Sequence, residues 1–199
     1  MNTQEKAPLA GVRVLDLGVY LAGPLAGMLL TDQGAETIKI DPPNGPSLQH
    51  SVTAVLNRGK RHLTLDLKSQ SGLAALSELV RGADILIENF GPGVMDRLGL
   101  SIYRLRQENP SLVVASLPGF HAKDALDGLK AYEGIVAALT GQFTDIHGAR
   151  QIFGLDPVYT ALPLSSVYAA VHAATACVMA LLRRRGGAGA THIIAPLAD

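Results

Sequence analysis

Ala83-Asp84-Ile85-Leu86-Ile87-Glu88-Asn89-Phe90-Gly91-Pro92-Gly93-Val94-Met95-Asp96-Arg97-Leu98-Gly99 is the stretch that decides the fold. Ile85 to Ile87 is an apolar run with the pattern of a buried strand. Asn89 to Gly93 reads as a tight loop at its carboxyl end, and Val94 to Leu98 starts a short helix. In open α/β sheets, ligands bind in the crevice at the carboxyl ends of the strands. Two glycines let this loop's backbone approach a ligand closely, and Arg97, one turn further on, could reach a phosphate.

The same alternation extends in both directions. Val12 to Leu17 is a strand candidate, followed by a loop from Gly18 to Pro24 and an apolar helix from about Leu25 to Thr31. Ala35 to Ile40 reads as the next strand and stops at Asp41-Pro42-Pro43. Leu48 to Asn57 is ambiguous, His62 to Leu67 alternates as a strand, and Ser69 to Arg81 is an amphipathic helix. Beyond the central stretch, a helix at Ile102 to Glu108 ends at Asn109-Pro110, and Leu112 to Ser116 gives another strand. This order predicts an α/β fold with a doubly wound, mostly parallel open sheet of Rossmann-like type. Past Gly119 come a loop, an apolar helix from Tyr132 to Thr140 and a second loop to Leu162. A long helix from near Ser165 then ends at Gly186-Gly187-Ala188-Gly189, ahead of a strand at His192 to Ala195. The arginines before those glycines mark a helix C-cap rather than a phosphate loop.

Composition narrows the function classes. At 199 residues, 48% hydrophobic and 17% charged, the chain is long enough for one sizeable core domain and is globular rather than disordered. Its 17 Lys plus Arg balance its 17 Asp plus Glu, which argues against nucleic-acid and membrane-surface partners. A polyanionic ligand then needs a local cluster of positive charge. One cysteine, Cys177, lies in an apolar helical run and reads as a buried, inert thiol, so a reducing cytoplasm is expected. Met1 to Lys6 is polar, with no signal-peptide apolar region behind it. Val167 to Leu182 is the longest apolar stretch; it contains His172, is shorter than a membrane span, and reads as a core helix. His62, His121 and His192 lack metal-ligand spacing, so no metal is expected. Gly18 and Gly23 are five apart with Pro24 behind them, which disfavours a dinucleotide-binding oxidoreductase.

The Asn89 to Gly93 stretch resembles the corresponding loop of the class III CoA-transferases. This is the formyl-CoA transferase and carnitine CoA-transferase group, to which the 2-methylacyl-CoA racemases are related. The likeness runs through Pro8-Leu9-Ala10-Gly11-Val12-Arg13-Val14-Leu15-Asp16-Leu17, Ala22-Gly23-Pro24 and Gly34-Ala35-Glu36-Thr37-Ile38-Lys39-Ile40. It continues through Asn57-Arg58-Gly59-Lys60-Arg61, Leu65-Asp66-Leu67-Lys68 and Lys130-Ala131-Tyr132-Glu133, in the family's order and spacing. The resemblance implies coenzyme A or an acyl-CoA as substrate, a carboxylic acid as its co-substrate, and a homodimer or a partner half. Family proteins are longer, with a second, smaller domain and a return segment, so residues 1–199 are expected to be the N-terminal portion of the large CoA-binding domain. Without those parts the chains cannot interlink, and exposed apolar surface is expected.

Binding CoA needs cations near its phosphates, an apolar wall for its base and close backbone for its arm. By resemblance, Leu65, Lys68, Asn89, Phe90, Arg97, Lys130, Tyr132 and the backbone at Ala22 match the family's CoA contacts. Taken singly, Lys68, Arg97 and Lys130 read as solvated charges; in family register they read as a CoA site. Leu21 replaces a polar contact and Pro42 a basic one, which predicts weaker or altered binding of the adenine end.

The transferases work through an aspartate that attacks the thioester, gives a mixed anhydride, and passes through an enzyme-bound CoA thioester. Aligning Pro163-Leu164-Ser165-Ser166 through His172-Ala173-Ala174 on the proline and the histidine puts Ser166 at the aspartate's position, and no shift of one residue restores a carboxylate. A serine needs a base, and His172, six positions along the helix, is rotated off its face. The plainer reading is that Ser165 or Ser166 caps the helix. Asp156, in Gly154-Leu155-Asp156-Pro157, is the other candidate carboxylate, although a turn before proline is the commoner meaning of that pattern. In the racemase branch the same aspartate acts as a base, and Lys130-Ala131-Tyr132 is the transferase version of a segment that carries a histidine there. The expected function is movement of CoA between an acyl-CoA and a carboxylic acid, with Ser166 in the nucleophile's place. The alternatives are a non-catalytic acyl-CoA-binding half working with a second transferase-like domain or subunit, and a racemase-like enzyme.

Overall fold

The computed structural model describes residues 7–47, 51–121, 125–126, 129–130, 132–145, 154, 156 and 161–199. Met1 to Lys6, Leu48, Ala131, Leu155 and Pro157, which figure in the sequence reading, lie outside the described residues. Among those described, six parallel strands form one open sheet: β1 (Arg13–Asp16), β2 (Glu36–Asp41), β3 (Arg61–Thr64), β4 (Ile85–Glu88), β5 (Val113–Ser116) and β6 (Thr191–Ile194). Their order is β3-β2-β1-β4-β5-β6, and every neighbouring pair is parallel. The chain winds outward from β1 to β3, then returns to the other side of β1 to lay down β4. The direction reverses between β1 and β4, and the crevice at the carboxyl ends of those two strands is where such sheets take ligands.

Helices cover both faces, which is why all four residues of β4 are buried. Side chains alternate across a strand, so Val14, Ile85, Ile87, Val113 and Ala115 face α1 (Ala22–Asp32) and α8 (Leu164–Arg185). Leu15, Leu86 and Val114 face the other way, toward Leu76 and Val80 of α3 (Gln70–Arg81) and Leu105 of α5 (Ile102–Glu108). The shorter α2 (Ser51–Leu56), α4 (Val94–Arg97), α6 (Glu133–Leu139) and α7 (Gln142–Asp145) complete the described helices.

The 22-residue α8 is long and apolar enough to cross a membrane by length and composition, but half of its most apolar window is buried within the protein. Ala169, Ala170, Ala173, Ala174, Cys177 and Ala180 form a stripe of small residues that packs onto α1 and β5. Burial pushes the Cys177 thiol up to about 12, so it stays protonated and unreactive at neutral pH. The opposite side leaves Tyr168, Val171, Met179 and Leu182 exposed, as are Ile135 and Leu139 of α6. Its last turn carries Arg183 to Arg185; Arg184 donates to the Ser111 carbonyl at 3.2 Å and pairs with Asp84 at 2.5 Å.

Two boundaries differ from the sequence reading by more than one residue, and one segment left open is now assigned. Helix α1 begins at Ala22 rather than Leu25, because Pro24 falls in the first turn, where a missing N–H leaves no hydrogen bond unmade. The ambiguous segment before Asn57 contains α2. The strand expected over His62 to Leu67 is β3, ending at Thr64, an edge strand exposed at all four positions.

Candidate functional site

Two loops build the crevice. The side chain of Asn89, after β4, clamps the loop after β1: its Oδ1 accepts the Val19 N–H at 2.7 Å and its Nδ2 donates to the Val19 carbonyl at 2.9 Å. Gly18 and Gly23 cross in contact, and a Cβ on Gly18 would sit 2.7 Å from the Cα of Gly23. Between them Tyr20 adopts φ +57°, a left-handed conformation uncommon outside glycine. Beneath this turn lies a fully buried ion pair. Asp16 accepts the Gly18 N–H at 2.8 Å and meets Lys60 Nζ at 2.7 Å, while Lys60 also donates to the Pro24 carbonyl at 2.7 Å and to Asn57 Oδ1 at 3.2 Å. Burial pushes the Lys60 ammonium below its usual range, against the opposing pull of Asp16.

Under the Asn89–Gly93 loop, the Glu88 carboxylate accepts the Phe90 N–H at 2.9 Å. Burial raises the Glu88 pKa, while the Ser116 hydroxyl and the Phe90 amide pull it down. Ser116 Oγ lies 2.9 Å from His192 Nε2, whose ring burial and Arg106 hold below the ordinary imidazole range. Folded Glu88 therefore keeps its proton to a higher pH than the unfolded chain does. The native state binds more protons in that interval, and stability falls as pH rises through it. Glu88→Gln is expected to remove this fall, read as a flatter dependence of the urea midpoint on pH from just above 4.5 upward. An unchanged slope would assign the effect to other groups.

A cavity of about 620 Å³ opens between the two loops. Its walls are Val19 to Ala22, Asn89 to Pro92, Leu117 to Phe120 and Lys130, with Tyr132, Glu133, Pro163 and Ser166. Of the residues proposed from sequence, it brings together Ala22, Asn89, Phe90, Lys130, Tyr132 and Ser166. Leu65, Lys68 and Arg97 do not line it. Leu65 packs half-buried against the α3 side of the core, and Lys68 is exposed beyond β3 on the same rim of the sheet. Arg97 is exposed and turns back to the Pro92 carbonyl at 3.4 Å. Asp156 is exposed and outside the wall.

Neither serine caps α8, contrary to the sequence expectation. The helix starts at Leu164, the capping position is Pro163, which has no side-chain donor or acceptor to offer, and Ser165 and Ser166 lie within the first turn. Their free N–H groups are satisfied from α6 instead. Ser165 donates to Glu133 Oε1 at 2.9 Å and Ser166 to Glu133 Oε2 at 3.0 Å. The Ser166 hydroxyl also donates to Oε2, at 2.5 Å. His172 is exposed on the helix, away from Ser166, which is 6% exposed. Sequence reasoning gave Glu133 no role. The available signal was its place beside Tyr132 in Lys130-Ala131-Tyr132-Glu133, but its partner lies 33 residues away and no local pattern encodes that pairing. The assembled wall offers apolar surface from Phe90, Leu117 and Phe120, a cation from Lys130, and a carboxylate hydrogen-bonded to a hydroxyl. These suit a long, partly apolar ligand carrying negative charge.

Known proteins resemble this chain in sequence and in fold. Residues 9–198 match the family model described as CoA-transferase family III. The CoA-transferase/lyase DddD of Marinomonas sp. (strain MWYL1) is 46% identical over 199 residues, covering all of this chain and 24% of that protein. The formyl-CoA:oxalate CoA-transferase of Bradyrhizobium diazoefficiens is 34% identical, covering 96% of this chain and 46% of the relative. Among solved structures, a CAIB/BAIF family protein from Brucella suis superposes with a TM-score of 0.88 at 28% identity, over 98% of this chain and 54% of its own. Rv3272 from Mycobacterium tuberculosis superposes with a TM-score of 0.87 at 33% identity, over 97% and 54%. The chain thus spans a quarter of the DddD relative and about half of the others. Matched along almost its whole length, it belongs to CoA-transferase family III.

Proposed function

We propose that this chain is the CoA-binding portion of an enzyme that moves CoA between an acyl-CoA and a carboxylic acid. One observation carries the reading: a single cavity at the sheet's reversal point gathers Ala22, Asn89, Phe90, Lys130 and Tyr132 with Ser166. Phe90 supplies an apolar face, Lys130 a cation for a phosphate or carboxylate, and the turn at Gly18 to Ala22 close backbone for an extended arm. Isothermal titration of CoA into the chain is expected to give saturable heat. Lys130→Ala is expected to weaken binding by about tenfold or more, the scale of one charge-assisted hydrogen bond. No heat from the wild-type chain at high CoA concentration would remove this reading.

A second reading, an acyl-CoA-binding half that relies on another transferase-like domain or subunit, is favoured by Ser166, which the family resemblance puts at the aspartate's position. It also supplies a cover for the exposed apolar residues of α6 and α8. Mass photometry is expected to find the 199-residue chain associating beyond a monomer. A compact soluble monomer would contradict that expectation.

A further inference from the structure

We propose that Glu133 is the acyl acceptor of this cavity and that Ser166 is its oxyanion donor. The inference rests on the cavity being a CoA site and assigns the chemistry within it. Among the described lining residues Glu133 is the one carboxylate. Asp16 is locked in the buried pair with Lys60, Glu88 lies beneath Phe90, and Asp156 is outside the wall. The Ser166 hydroxyl points its proton at Glu133, so the pair is a carboxylate with a donor attached.

The two carboxylate oxygens are not equivalent. Among the described residues, Oε2 accepts both the N–H and the O–H of Ser166, whereas Oε1 accepts only the Ser165 N–H. Oε1 is the freer oxygen and attacks the thioester carbonyl carbon; the C–S bond breaks and CoA leaves as thiolate, giving a glutamyl mixed anhydride. The thiolate then attacks Glu133 Cδ. The Cδ–Oε1 bond breaks, the donor acid departs as its carboxylate carrying that oxygen, and a glutamyl-CoA thioester remains. In this step negative charge builds on Oε2, where Ser166 already places two donors. An incoming carboxylate reverses the sequence, leaving a new acyl-CoA and a free Glu133. No net proton moves.

The test uses acetyl-CoA as probe. The 199-residue chain is incubated with it, quenched with hydroxylamine and mapped by peptide mass, with CoA titration calorimetry run in parallel. The expected result is a hydroxamate on Glu133, absent in Glu133→Gln and formed about 10²-fold more slowly in Ser166→Ala, with CoA still bound by both variants. The wild-type map alone locates the adduct, so an unfolded variant leaves the result decisive. An adduct on Ser166, or none at all while CoA binds, would overturn the assignment to Glu133. Failure of the wild-type chain to bind CoA would remove the reading of the cavity on which it rests.

Discussion

Lys60→Ala is expected to cost about 3–5 kcal/mol of folding stability, the scale of an uncompensated buried charge. Neither the Lys60 nor the Asp16 side chain has any exposed surface, so removing the ammonium leaves the Asp16 carboxylate with the Gly18 N–H but without its ion-pair partner. The Pro24 carbonyl loses its donor in the same step. Burial pushes the Lys60 ammonium below its usual range even with Asp16 beside it, as expected for a charge held out of water. The large cost comes from stranding one partner rather than from the attraction itself. Arg58→Ala is the comparison. Arg58 pairs with Asp32 with about half of its side chain exposed, and its loss is expected to cost about 0–1 kcal/mol. Urea denaturation of both variants gives the numbers, and a Lys60→Ala cost below that of Arg58→Ala would contradict the role given to the buried pair.

Gly23→Ala is expected to abolish CoA binding. The new Cβ would lie 2.6 Å from the Cα of Gly18 and 3.0 Å from Asn89 Oδ1. The Gly18 contact is backbone, which cannot rotate aside, so the turn after β1 must shift. Any shift there acts on the Asn89–Val19 clamp and on the cavity wall at Val19 to Ala22. Overpacking of this kind destabilises by about 1–3 kcal/mol. Gly82→Ala is the control, because its Cβ would meet only the Arg13 guanidinium at 3.4 Å and the Leu79 carbonyl at 3.9 Å, and its affinity is expected to match wild type. Calorimetric titration distinguishes the two variants, and wild-type affinity in Gly23→Ala would show that the crossing does not shape the site.

The parallel sheet was legible because strands buried on both faces read as short apolar runs, as Ile85 to Ile87 does, and because helices alternate with them. The loop at Asn89 was legible from its glycines and its place after that strand. The start of α1 was not, since Gly23-Pro24 looks like loop punctuation although Pro24 fits the first helical turn. Helical geometry correctly set His172 apart from Ser166, one exposed and the other buried. Arg97 shows the limit of spacing: its position places it near the loop, but its guanidinium folds onto the Pro92 carbonyl. The Glu133–Ser166 pair was invisible because it joins the starts of two helices across a segment without periodicity, and a hydrogen bond between distant residues leaves no local pattern.

The most direct measurement is a crystal structure of the chain soaked with CoA. CoA is expected in the 620 Å³ cavity between the Gly18–Leu21 and Asn89–Pro92 loops, its thiol facing Glu133 and Ser166. CoA lodged instead at the amino ends of the strands, in the smaller cavity of about 240 Å³ lined by Arg13, Glu36 and Arg61, would contradict it.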